Sequence, residues 1–127
     1  MGKFLRPAAY AYTLFIAVIC LMPMPRVSNA PKDSDKVIHL LVYFLFTLIW
    51  FLYYFLRAKT ENFKQSLIKC AGLALIYGIL IEVVQEVATV SRSADFKDLI
   101  ANSIGILTGV ILIIAMKSQF LRLKSKF

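Results

Sequence analysis

The sequence predicts an all-α integral membrane protein, a bundle of four transmembrane helices with both termini in the cytoplasm. Three observations carry that prediction. Hydrophobic residues make up 60% of the chain and the mean hydropathy is +0.74, against roughly 45–50% apolar usage in soluble domains. A chain of 127 residues cannot hide that much apolar surface from water, so the bilayer has to be its solvent. The charges gather in short patches between four uncharged runs, 7–25, 40–56, 70–81 and 99–116. No window alternates polar and apolar residues with the period of two that a membrane β-barrel needs.

A transmembrane helix takes about 20 mainly apolar residues, with a usual range of about 17–25. The first run meets this and places a helix over about 7–25. It has a rival reading: Lys3 and Arg6 ahead of it and Ser28-Asn29-Ala30 behind it resemble a signal peptide with a small-residue cleavage site. The second run gives a helix over about 37–56, which Asp35 can cap. The third is short, and spans only if Lys69 and Glu82 are drawn in, giving about 66–87. The fourth covers about 98–116, with Asp95 and Asp98 able to act as N-cap and third residue, where carboxylates accept free N–H groups. Together these make one membrane domain over residues 1–127.

Basic residues set the orientation. With both termini inside, ten Lys and Arg fall on the cytoplasmic side: Lys3 and Arg6, four on the second connection, and Lys117, Arg122, Lys124 and Lys126. Five fall outside: Arg26, Lys32, Lys36, Arg92 and Lys97. The net charge of +8 does not point to nucleic acid, because a nucleic-acid binder gathers its cations on one polar face. The C-terminal cations instead suit anchoring to anionic lipid. Cys20 and Cys70 are expected near opposite ends of their helices, too far apart for a disulfide, and read as buried, inert thiols.

This topology brings distant residues to the outer surface. His39 opens the second helix, Glu82, Gln85 and Glu86 close the third, and Asp98 and Asn102 open the fourth. Arg92 and Asp95 lie between the last two. Gly78, Glu82 and Gln85 fall on one helical stripe, and so do Asp98, Asn102, Gly105 and Gly109. Ala101, Gly105 and Gly109 form a small-residue series that permits close backbone approach, and helices three and four are expected to pack through these glycines. Ile106 is expected to face away. Lys69 and Glu82 are separated by about 20 Å of helix, less than the roughly 30 Å hydrocarbon core. Glu82, with the shorter reach, is therefore the buried member. A buried carboxylate must be protonated or paired, with Arg92 the first candidate partner and His39 the second.

Each residue also has a plainer reading. His39 can be an ordinary interfacial histidine, and Glu82 with Arg92 a purely structural ion pair. Tyr10, Tyr12, Trp50, Tyr53 and Tyr54 read as interfacial or core aromatics.

The ordered set Glu82-x-x-Gln85, Arg92, Asp98-x-x-x-Asn102-x-x-Gly105-x-x-x-Gly109, preceded by Asp35-Lys36-x-x-His39-x-x-x-Tyr43, resembles the VanZ-like family. Val87 departs from it, standing where that pattern leads one to expect an aromatic. The resemblance implies a four-span membrane protein of the bacterial cell envelope, of a kind first associated with teicoplanin resistance. It implies no defined reaction.

Three functions follow as expectations. The leading one is an envelope protein of the bacterial cytoplasmic membrane whose outward polar pocket binds a lipid-linked or peptidoglycan-derived group. Arg92 would hold a phosphate or carboxylate, and Gln85 and Asn102 would read hydroxyls or amides. The alternative is a membrane-embedded enzyme acting on a lipid-linked substrate, with His39 and Glu82 as general acid and base. A metal version would draw His39, Glu82, Glu86 and Asp98 together, but their spacing matches no local metal motif. There is no phosphate loop or Ser–His–acid arrangement, and neither metal nor cofactor is expected. A transporter or channel would need polar groups through the membrane's depth, whereas here they occupy one end.

Overall fold

The computed structural model describes residues 2–21, 34–57, 62–88 and 96–126. These residues form helices α1 (Gly2–Leu21), α2 (Ser34–Arg57), α3 (Phe63–Ala88), α4 (Phe96–Ala115) and α5 (Lys117–Ser125). Three stretches are long and apolar enough, by length and composition, to cross a membrane: Val37–Leu56, Phe63–Val87 and Lys97–Ala115. Their outward faces carry exposed Leu45, Ile76, Leu80, Leu107 and Ile111, side chains that lipid solvates and water would not.

α1 runs from Gly2 straight through Pro7, where the sequence suggested a start. Pro7 stands in the second turn, where it removes one i→i−4 bond to the Lys3 carbonyl and its ring crowds that carbonyl. The expected extension over 22–25 lies outside the described residues. α5 is an addition to the expected architecture. The chain turns at Met116, whose φ of −102° and ψ of 21° leave the helical path. That turn folds the basic tail under the bundle, where Phe120 meets the Phe51 ring edge-on at 5.1 Å. The Lys124 ammonium lies over the face of Phe55 at 4.4 Å and that of Lys117 over Phe63 at 5.3 Å, so these cations bind aromatic faces as well as any lipid.

The core is organised on α2, which packs against α1, α3 and most extensively α4. Tyr43, Phe46, Trp50, Phe51 and Phe55 of α2 are all buried. Phe46 stacks nearly parallel on Tyr77 of α3 at 5.2 Å. A residue without evident sequence signal, Thr13, joins three helices. Its hydroxyl accepts from Trp50 Nε1 at 3.0 Å and its carbonyl from the Tyr77 hydroxyl at 2.6 Å, while the Tyr12 hydroxyl donates to the Val42 carbonyl at 2.8 Å. Cys70 is free and buried, with Sγ 3.2 Å from the Leu67 carbonyl; the Cys20 side chain lies outside the described residues.

The glycines of α4 face α2, which corrects the expected α3–α4 contact. A Cβ on Gly105 would run into the Leu40 carbonyl, and one on Gly109 would sit 3.2–3.4 Å from Thr47 and the Phe44 carbonyl. The reason is register. Asn102, Gly105 and Gly109 share one stripe, so once Asn102 turns towards α2 the glycines below it must do the same. Gly78 of α3 abuts both other helices, since its Cβ would lie 3.4 Å from the Tyr43 ring and from the Asn102 amide. Ile106 is buried rather than outward, and Leu107 takes the exposed position. The buried face of a helix is wider than a single stripe.

Candidate functional site

α2 runs antiparallel to α3 and parallel to α4, so its N-terminal end meets the C-terminal end of α3 and the N-terminal end of α4. At that end His39 spans two side chains of α4, one turn apart. Its Nδ1 lies 3.1 Å from Asn102 Oδ1 and its Nε2 lies 3.8 Å from Asp98 Oδ2. With the amide oxygen facing the ring, Nδ1 carries the proton and donates. Nε2 then faces the Asp98 carboxylate. Asp98 sits in the first turn of α4.

α3 contributes the other wall. Glu82 and Gln85 are 3% and 2% exposed, and Asn102 across from them is 2% exposed; all are enclosed by protein within stretches apolar enough for a membrane. Glu82 lies one turn from Gly78, whose missing side chain makes room for Asn102 and Tyr43. Among the described residues the Asn102 Nδ2 donor meets no hydrogen-bond acceptor. An unsatisfied buried donor costs about 1–3 kcal/mol and calls for a particular explanation.

Of the residues singled out in the sequence, His39 contacts both Asp98 and Asn102, with Glu82 and Gln85 buried at the same end of the bundle. Arg92 and Asp95 lie outside the described residues, and with them the Glu82–Arg92 pairing. Glu86 occupies the exposed side of α3. Among the described residues no three His, Cys, Asp or Glu side chains gather as a metal site. At the opposite end Ser66 is fully buried, with its hydroxyl unpartnered among the described residues. Nothing in the sequence around it marked it out.

The comparison with protein families matches the VanZ/LLP1 model over residues 9–117, a stretch that holds every residue of the cluster. The chain belongs to the VanZ/LLP1 family. No curated protein and no solved structure matches it. The VanZ/LLP1 match begins within α1 and ends at the first residue of α5. It therefore takes in the four helices that pack side by side and leaves out the basic tail folded beneath them.

Proposed function

We propose that this VanZ/LLP1 protein crosses the cytoplasmic membrane of a bacterium four times, with α1 as a further span and both termini inside. Its polar cluster then lies at the outer side and binds a lipid-linked or cell-wall-derived group. The observation that carries this reading is the buried Asn102 amide beside His39, a donor held in an apolar bundle with no acceptor among the described residues. A ligand oxygen, whether amide, phosphate or sugar, completes it. Glu82, Gln85 and Asp98 offer acceptors for the hydroxyl or amide donors of the same ligand, and Arg92, read from the sequence, supplies a fork for its phosphate or carboxylate. A connection to teicoplanin-type resistance rests on the family likeness alone.

The test is the lipid complement that co-purifies with the protein. His39→Gln and Glu82→Gln should leave the chain inserted and folded, yet strip a lipid-linked species that the wild type retains. If extracts of all three proteins contain the same species in the same amounts, the binding reading fails. A catalytic reading draws on the His39–Asp98 pairing, an acid beside an imidazole that could move a proton. It predicts a modified lipid that accumulates with the wild type and not with His39→Gln.

A further inference from the structure

Two grooves open beside α4. One, of about 280 Å³, starts at Leu99 and includes Ser103 and Leu107. The other, of about 430 Å³, lies between α3 and α4, shares Ser103 and Leu107, and reaches Gly72, Leu75 and Val110. The two lie side by side along Ser103 and Leu107 and are taken together as one trough. It begins beside Asp98, one position before Leu99, and ends at Val110, roughly 16 Å further along the helix. That is close to half of the about 30 Å hydrocarbon core, the depth of one lipid leaflet.

We propose that this trough holds one acyl chain of a bound membrane lipid, whose headgroup sits at the His39–Asp98–Asn102 end; the headgroup half rests on the binding function proposed above. The lining is almost wholly apolar. Its one hydroxyl, Ser103 Oγ, already donates to the Leu99 carbonyl at 2.9 Å, so nothing in the trough asks for a polar partner. The wider groove, spread over the about 10 Å from Ser103 to Val110, is about 6–7 Å across. That suits a single hydrocarbon chain and is well short of the about 10 Å of a second copy's helix. Gly72 keeps it open, because a Cβ there would meet nothing within 4 Å. The trough's first lining residue, Leu99, directly follows Asp98 in the chain, so a lipid held at the polar end would lay its tail along α4.

Native mass spectrometry of the full chain in detergent, titrated with dioleoyl phosphatidylglycerol, tests this. Gly72→Leu fills free space and Leu107→Trp blocks the shared stretch from an exposed position, so both should melt as the wild type does. Both should weaken binding of the probe by about tenfold or more, since a chain's many small dispersion contacts are lost together. Unchanged affinity in both variants overturns the proposal. A loss with His39→Gln but not with the trough variants keeps the headgroup site and overturns the chain site. A loss with the trough variants but not with His39→Gln supports the chain site and removes the headgroup reading. A dimer broken by Gly72→Leu, with probe binding intact, assigns the trough to a second copy and likewise overturns it.

Discussion

His39 joins α2 to α4 through contacts of unequal weight. The 3.1 Å contact with Asn102 is an ordinary hydrogen bond, whereas 3.8 Å to Asp98 is a longer electrostatic contact. Removing the amide should therefore show first in stability. Asn102→Ala deprives His39 Nδ1 of its acceptor and also deletes the buried donor that has none. Hydrogen bonds between membrane helices contribute about 0.6 kcal/mol on average and up to about 1.7. Asn102→Ala should lower stability in a mixed-detergent unfolding titration by no more than that range, because deleting the unsatisfied Nδ2 donor offsets part of the loss. A loss above that range would mean that Nδ2 is not the unsatisfied donor described. Glu82 was legible as buried from its depth, and Gln85 only as a neighbour on the same helical stripe. His39 choosing α4 was not legible, because its two acceptors are 59 and 63 positions away in sequence, and only packing decides such a pairing.

Between helices, the glycines rank themselves by what surrounds them. Gly105 faces backbone, which cannot rotate away, whereas Gly109 faces the methyl-bearing end of Thr47 and Gly72 faces open space. Gly105→Ala should force α2 and α4 apart and destabilise by about 1–3 kcal/mol, the usual cost of overpacking. Gly109→Ala should cost less, and Gly72→Ala should be neutral or slightly stabilising. Thermal melts of the three variants check the order, and a Gly105→Ala protein as stable as Gly72→Ala would mean that α2 and α4 do not meet there. The small-residue series showed in the sequence that α4 packs closely on something. It could not show on what, because Gly105 and Gly109 have no side chain to name a partner. α5 was missed for a related reason: its apolar residues are few, and Phe120 matters only because Phe51 is waiting for it.

For the whole molecule, the distribution of charge makes a prediction that the packing does not. With four spans and both termini inside, ten basic residues would lie on the cytoplasmic side against five outside, and the proposed orientation rests on that asymmetry. A reporter fused to the C-terminus should be active only as a cytoplasmic fusion, and single cysteines at Ser28 and Ser93 should react with an impermeant thiol reagent on intact cells. C-terminal labelling from outside would invert the molecule and put the polar cluster on the inner face.

The sequence by itself determined the helical class, an apolar surface suited to lipid, and the burial of Glu82. Those follow from hydropathy, charge placement and a 3.6-residue period, which act locally or along one helix. Tertiary structure alone decided the partners: Asn102 and Asp98 for His39, Leu40 for Gly105, Thr13 for Trp50 and Tyr77. A helix stripe has a direction only relative to its neighbours. α2 became the centre because its large aromatic side chains fill the space between the other helices, and the glycines of α4 let the two backbones close on each other.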